Sequence, residues 1–335
     1  MALTSTERLQ EVFSLALDER SPGLVDLVSN SNALLYIMKQ KGQFKPFSGP
    51  AIRERLIYAE SGTYVRYGGY GHLNPQPVEL VNDAEFRPKL AAVSVTLSSE
   101  EILQNAGEAQ LLDVMEVHMN AAEQELKDRF VEDLHSDGTA ADGYQITGLQ
   151  AAIPTDPTAG TYGGISRVSN SIWRTGIYNA NSTFAGITAV SSTTVREIFE
   201  SIMISHSRGT KAPGLILASS QHYKAFSAAL VAIQRINDEN SLGKLGFSAL
   251  KFAGAGKMID VVLEGGIGSA MPSDVSYFID TDALKFRYHP DRNFTKFGGK
   301  QTPINQDAVV QHIGFYGELT LNNPLHTAKL YDSSP

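Results

Sequence analysis

The chain has 335 residues, 42% of them hydrophobic, and 36 acidic against 28 basic side chains give a formal net charge of −8. It has no cysteine, which excludes thiolate catalysis, disulfides and cysteine-ligated metals. A pI near 5.5 argues against a dedicated nucleic-acid binder, and no apolar run approaches the roughly 18–20 residues a membrane-crossing helix needs.

Met1 to Arg20 carries acids among its apolar residues and lacks the basic start and apolar block of a secretory signal. Two short helical patterns, Thr6 to Leu17 and Asn32 to Gln40, are separated by the Pro22-Gly23 break. They supply too little pattern for a core of their own, so residues 1–45 are expected to form an arm lying on another surface. From Pro46 the character changes. Ala51 to Ala59 alternates as a strand, with Ile52, Glu54, Leu56 and Tyr58 on one face and Arg53, Arg55 and Ile57 on the other. A glycine-rich turn region, Gly62 to Gly71, carries Tyr64, Tyr67 and Tyr70, and a second extended run follows at Val78 to Val81. Residues 46–89 are therefore expected to be a long two-stranded excursion. An isolated hairpin is marginal in water, so it is expected to rest on a neighbouring subunit. Leu90 to Leu97 is a third, more apolar strand.

Ser98 and Glu101 stand at capping-box spacing and open a short helix, which Gly107 interrupts. A long helix is predicted next, from Glu108 to Asp137. Leu112, Met115, Met119, Ala122, Leu126, Phe130 and Leu134 recur on one face. Residues 100–137 hold eleven acids against Lys127 and Arg129. A helix this long, against a typical length of about 11–12 residues, indicates a structural rod.

Residues 143–273 have the pattern of a compact α/β domain. Helices are predicted at Thr194 to Ser205, with Thr194 and Glu197 at capping-box spacing, and at His222 to Val231. Strands are predicted at Pro213 to Ala218, Phe247 to Phe252 and Met258 to Glu264. Extended structure returns at Ser276 to Asp280, Leu284 to Tyr288 and Ala308 to Leu321. A polar loop, His289 to Asn305, is expected between the last two. Residues 285–300 hold Lys285, Arg287, Arg292, Lys296 and Lys300 against Asp291 alone.

No motif for chemistry stands out. Gly254-Ala255-Gly256-Lys257 lacks the spacing and the following Ser or Thr of a phosphate loop, and is expected to be a tight turn between strands. The eight histidines form no His-x-x-x-His pair, and no Gly-x-Ser-x-Gly elbow occurs. Glu132, Asp133 and Asp137 suit a solvated helix face better than a cation site. The tyrosines at 64, 67 and 70 have only Arg66 nearby, which favours packing or an intersubunit role over base stacking. No catalytic residue, metal site or cofactor is expected, and the chain is not expected to be an enzyme.

Three places carry a family resemblance. The first is the extended excursion leading directly into a long acidic helix. The second is the run Gly148-Leu149, then Gly163-Gly164-Ile165-Ser166-Arg167, then Trp173-Arg174. The third is Phe315-Tyr316-Gly317-Glu318-Leu319-Thr320-Leu321-Asn322-Asn323-Pro324. Together these resemble the major capsid proteins of tailed double-stranded-DNA phages, whose fold is shared with encapsulins. The resemblance implies an α+β capsid fold. Its parts would be an N-terminal arm (1–45), an extended β-hairpin loop (46–89), a peripheral domain (90–142 and 274–325), an axial α/β domain (143–273) and a C-terminal tail (326–335). The peripheral domain would hold the spine helix at about 108–137 and a peripheral loop at 289–305.

The resemblance also implies self-assembly into hexamers and pentamers of an icosahedral head enclosing double-stranded DNA without sequence-specific binding. It implies separate scaffolding, portal and decoration proteins, no membrane partner, a virion location and assembly in the host bacterial cytoplasm. Arg53, Arg55, Arg66, Tyr67, Arg292 and Lys296 are the candidate intersubunit contacts. Some such proteins join subunits through an extended-loop lysine. Here no lysine lies between Pro46 and Pro88, and a guanidinium is a poor acyl acceptor, so no such cross-link is expected. The alternatives are an encapsulin-like nanocompartment shell and, behind it, a soluble enzyme of unassigned type.

Overall fold

The computed structural model describes residues 32–57, 64–72, 81–104, 108–230, 249–264, 270–301 and 307–332. The helix expected at Thr6 to Leu17 lies outside them. Helix α1, Ala33–Gln40, begins where the Asn32 side chain accepts from the backbone N–H of Leu34 at 2.8 Å and of Leu35 at 3.3 Å. Leu34, Leu35, Ile37 and Met38 are all buried in this subunit's own main core. That corrects the expectation of an arm wholly on another surface: four apolar side chains within one and a half turns suffice to hold this part at home. Strand β1, Phe44–Pro46, extends the anchorage by pairing in parallel with Phe286–Tyr288.

Strands β2, Ile52–Ile57, and β3, Val81–Phe86, form the expected antiparallel hairpin, in register from Ile52 opposite Phe86 to Ile57 opposite Val81. The second strand was expected at Val78 to Val81, of which 78–80 lie outside the described residues. It runs on through Asp83 and Glu85, whose charge hid it. Those acids point outward opposite Arg55 and Arg53, while Ala84 and Phe86 point in.

Strand β4, Lys89–Ser98, buries Val93, Val95 and Leu97 on one face. Helix α2, Ser99–Gln104, follows. The capping box forms: Ser98 N–H donates to Glu101 Oε2 at 3.1 Å, and Glu101 N–H to Ser98 Oγ at 3.2 Å. Helix α3, Glu108–Leu134, is 27 residues long, a rod of roughly 40 Å at 1.5 Å per residue. Met119, Ala122, Leu126, Phe130 and Leu134 are buried as the stripe predicts. The side chains of Leu112 and Met115 lie outside the described set.

The chain then makes helix α4, Leu149–Ala152, and a small hairpin of β5, Thr161–Tyr162, and β6, Ile165–Ser166. Next come β7, Gly176–Asn179, helix α5, Ala180–Thr183, helix α6, Val195–Ser205, strand β8, Leu215–Ala218, and helix α7, Ser220–Leu230. At α6 the expected capping box does not form. Thr194 makes no side-chain cap bond; its hydroxyl instead accepts from Ser191 N–H at 3.0 Å, closing the preceding turn. Strands β9, Ala249–Gly254, and β10, Lys257–Leu263, meet at Ala255 and Gly256, both with positive φ. The glycine-lysine stretch is thus a tight hairpin turn.

Strands β11, Val275–Ile279, β12, Leu284–Gln301, β13, Ala308–Leu321, and β14, Ala328–Tyr331, complete the chain. One sheet has the order β1-β12-β13-β4 and packs on α3; the other has the order β7-β14-β11-β8-β10-β9. Two strand placements differ from expectation. The strand near 276–280, expected among the peripheral strands, pairs with β8 and β14, and the expected tail supplies an interior strand of the same sheet. All-buried β11 explains why: a strand buried on both faces belongs inside a covered sheet. The polar loop expected from His289 is instead largely strand, since β12 stays paired with β13 through three register shifts. Bulges broke the alternation the sequence would otherwise show. Within them Phe294, at φ 56°, turns inward against Phe315 and Phe130, with ring centroids 4.9 and 5.5 Å apart.

Two cores result. One lies beneath the four-stranded sheet, where Phe130 of α3 meets Phe286 and Phe315 edge-on. The other lies between the six-stranded sheet and α6 and α7, around Phe199, Phe226, Phe252 and Phe278.

Candidate functional site

The most heavily built region is the junction where the β2–β3 hairpin, the end of α3 and both sheets meet. As α3 ends, its last carbonyls need partners. Lys89, the first residue of β4, aims its ammonium at the segment leaving the helix and donates to the carbonyls of Gln145 at 2.6 Å and Gly138 at 3.2 Å, and to Thr147 Oγ1 at 3.1 Å. Ser136 Oγ donates to the Ile146 carbonyl at 2.7 Å, and Gln145 Nε2 to Asp133 Oδ1 at 2.9 Å. Burial holds the Asp133 carboxyl above its ordinary range, against the pull of that bond.

The motif residues find physical reasons here. A Cβ on Gly148 would lie 2.4 Å from the carbonyl oxygens of both Asp133 and Leu134. Only glycine lets the chain cross the helix end so closely. Gly148→Ala is expected to cost about 1–3 kcal/mol by overpacking against backbone that cannot rotate away. Thermal unfolding checks this, and an unchanged midpoint would refute it. Gly163 and Gly164, with φ of 57° and 75°, make the β5–β6 turn. The Gly163 carbonyl accepts from Glu85 N–H at 2.9 Å, which ties β3 of the hairpin to this turn. Trp173 Nε1 donates to the Tyr162 carbonyl at 2.9 Å, and Tyr162 Oη accepts from Leu321 N–H at 3.2 Å. Arg167, 4% exposed, donates through Nη2 to the carbonyls of Ala151 and Ala152 at 2.8 and 3.0 Å, closing the end of α4. Its guanidinium sits 5.1 Å from the Tyr162 ring centroid.

Two buried carboxylates complete the junction. Glu54, 4% exposed, accepts from Lys285 Nζ at 2.8 Å and from Arg287 Nε at 2.7 Å, with Arg287 Nη2 on the same oxygen. This clamps the hairpin root to β12. Glu318, 1% exposed, accepts through Oε1 from Thr147 N–H at 2.7 Å, while its Oε2 is buried without a hydrogen-bond partner. Burial pushes its carboxyl up to about 7, against the opposing pull of Thr147 and Lys89. Beside them lies an open cleft of about 490 Å³, with Ala151, Pro154 and Ala159 as apolar lining and Glu85, Arg87 and Gln150 as polar lining.

The residues proposed from sequence are scattered. Arg53 and Arg55 lie on the outer face of the hairpin, Arg53 3.9 Å from Glu85 and Arg55 opposite Asp83. Arg66 and Tyr67 lie on the exposed tip. Arg292 stacks 4.0 Å from the Phe297 ring centroid, and Lys296 stands on β12 opposite Ile313. Lys285 and Arg287, grouped in sequence with a basic loop, are spoken for by Glu54. The acids on and after the long helix also disperse: Glu132 pairs with Arg129, Asp133 with Gln145 and Asp137 with Thr139. Among the described residues no group of three or more His, Asp or Glu gathers as a metal site. Sequence reasoning passed over Lys89 and quoted Glu318 only as part of a family run, with no role of its own. It placed Glu54 on the apolar face without asking for its partner, although a carboxylate between Ile52 and Leu56 demands a cation.

No family model and no curated protein matches the chain. Solved structures do. A chain of the cyanophage A-1(L) capsid asymmetric unit is 17% identical, with a TM-score of 0.63 over 88% of this chain and 91% of its own. The capsid of the native GTA particle gives 11% identity and 0.53, covering 91% of each chain. A virus-like particle from Pyrococcus furiosus gives 11% identity and 0.50, covering 93% of this chain and 98% of its own. The chain has the α+β fold of these capsid and particle subunits.

Proposed function

We propose that this chain is a major capsid protein that assembles into pentamers and hexamers of an icosahedral phage head around double-stranded DNA. The observation that carries this reading is the fold shared with the cyanophage capsid subunit over nearly the whole of both chains. The junction supports it mechanically. A shell built from one sequence needs elements that reach neighbours and stay rigid at their roots. Here the hairpin is held at its root by Glu54 and Gly163, while its tip is exposed. The net charge of −8 suits a wall that does not adsorb packaged DNA. Arg53, Arg55, Arg66, Tyr67, Arg292 and Lys296 are the proposed intersubunit contacts. Scaffolding, portal and decoration proteins are the proposed partners, with assembly in the host cytoplasm and a final place in the virion. The role is structural rather than enzymatic. An encapsulin-like shell enclosing protein is the second reading, and the Pyrococcus furiosus virus-like particle subunit shares the fold as well.

Electron microscopy of the purified protein tests this. Ring-shaped capsomers or uniform polyhedral shells are expected, with nucleic acid rather than cargo protein inside particles from infected cells. The subunits should run at 36.3 kDa on denaturing gels, without a covalent ladder. A compact monomer that persists at every concentration would overturn the proposal.

A further inference from the structure

Helix α1 is fastened at both ends, and each fastening reaches a different edge of the six-stranded sheet. At its start the Asn32 amide faces two ways: Oδ1 accepts from the N–H groups of Leu34 and Leu35, while Nδ2 donates to Glu264 Oε1. The same oxygen lies 3.2 Å from Nε2 of His135, the residue that follows α3. A carboxylate only accepts, so Nε2 carries the proton. Asn32, His135 and Glu264 are all buried, and among the described residues no lysine or arginine pairs with Glu264. His135 Nδ1 is buried without a partner, so the bond to Glu264 alone orients the ring. At the far end of α1, Lys41 Nζ donates at 2.6 Å to Thr281 Oγ1, in the link that carries the chain from β11 of one sheet to β12 of the other.

Backbone bonds place these two points on the sheet. Glu264 N–H donates to the Ala218 carbonyl at the end of β8 at 2.9 Å. Gly214 N–H, just ahead of β8, donates at 2.8 Å to the carbonyl of Ile279, two residues before Thr281. Gly214 to Ala218 is about 13 Å of strand, and Asn32 to Lys41 is about 14 Å of helix, so α1 spans the sheet from edge to edge. It covers the face that α6 and α7 leave: Leu215 and Leu217 alternate into the core that holds Leu34, Leu35 and Met38, while Ile216 and Ala218 enter the other. We infer that α1 is a strap closing the seam between the two sheets and that Glu264 is its clasp. The strap, the exit of α3 and the end of β10 open as one unit while the core under α6 and α7 stays folded. Displacing α1 frees the end of α3 to shift against the six-stranded sheet, a hinge within the single subunit that does not depend on the shell reading.

Hydrogen exchange of the unassembled subunit, resolved amide by amide, tests this. The amides of Tyr36, His135 and Glu264, one from each arm of the clasp and each bonded to a backbone carbonyl, should share one level of protection. That level should lie below the protection of Ile198 in α6. Asn32→Asp keeps the helix cap, since Asp and Asn cap alike, but sets one carboxylate against another. It should speed exchange at all three amides by a common factor of about ten or more. Adding Glu264→Gln to Asn32→Asp restores a donor facing an acceptor at the same total charge, and should return all three to native rates. Unequal factors, native rates at His135 and Glu264, or protection equal to that of Ile198 would overturn the inference. So would a doubly substituted chain that still exchanges fast. If Asn32→Asp alone does not fold, the doubly substituted chain decides: native exchange supports the clasp, and failure to fold overturns it.

Discussion

Glu54→Ala should lower the stability of the unassembled subunit by about 3–5 kcal/mol, the cost of removing one partner from a buried ion pair. Most of that cost lies with the partners left behind. Lys285 and Arg287 have side chains only 21% and 18% exposed, and both spend their charge on this one carboxylate. Without it, two half-buried cations remain on the face of β12 opposite Phe286, with too little water to solvate them. Glu54→Gln keeps the shape and one acceptor and should cost less than Glu54→Ala. The triple change Glu54→Leu, Lys285→Met and Arg287→Leu should recover most of the loss, because it removes the charges together. Urea denaturation of the unassembled subunits measures all three. A loss under 1 kcal/mol for Glu54→Ala would show that the clamp adds little. The same bonds fix the hairpin to β12, so Glu54→Ala should also yield fewer closed particles than its stability alone predicts.

How much of this was legible in the sequence depends on how local the signal is. The stripe on α3, the capping box at Ser98 and Glu101, and the strand of β2 repeat within a few residues, and the structure keeps them. Strand β3 and the far half of β12 were obscured. In β3 the outward positions are acids that answer arginines about 30 residues earlier, and in β12 three register shifts scramble the alternation. The parallel pairing of β1 and the place of β14 inside the six-stranded sheet arise from contacts between distant segments, to which periodicity is blind. The junction was half legible. Its glycines and Trp173 were noticed as a family flavour, but the reason for Gly148 is a helix end fourteen residues upstream. The glutamates were hidden for another reason: a carboxylate on an apolar strand signals burial only when its distant partners are known.

Glu318→Gln should turn a nearly pH-independent subunit stability into one that rises with pH. In the native chain two buried groups oppose each other. The Glu318 carboxyl is raised by burial from 4.5 to about 7. Its folded form binds a proton more tightly than the unfolded chain does, so its contribution is full below about 4.5 and is lost as pH rises through about 7. The gap corresponds to about 3 kcal/mol. His222, 1% exposed, is pushed by burial from 6.5 down to about 4, against the pull of Asp332 and Asp274. Its Nδ1 bonds Ser276 Oγ at 2.7 Å. The depressed value means its contribution is full above about 6.5 and is lost as pH falls through about 4, again about 3 kcal/mol. Between roughly pH 4.5 and 6.5 one slope cancels the other, and native stability should be nearly flat. Asp133, raised by burial, acts with Glu318, and His206, lowered by burial, acts with His222. Glutamine at 318 keeps an acceptor for Thr147 N–H and has no proton to lose. The histidine slope should then dominate, so Glu318→Gln should gain about 2 kcal/mol from pH 4.5 to 6.5. His222→Gln should show the mirror image, losing stability over the same range. Urea midpoints at pH 4.5, 5.5 and 6.5 separate these outcomes. Parallel profiles for the native chain and both variants would mean that neither buried group titrates in the folded protein within this range.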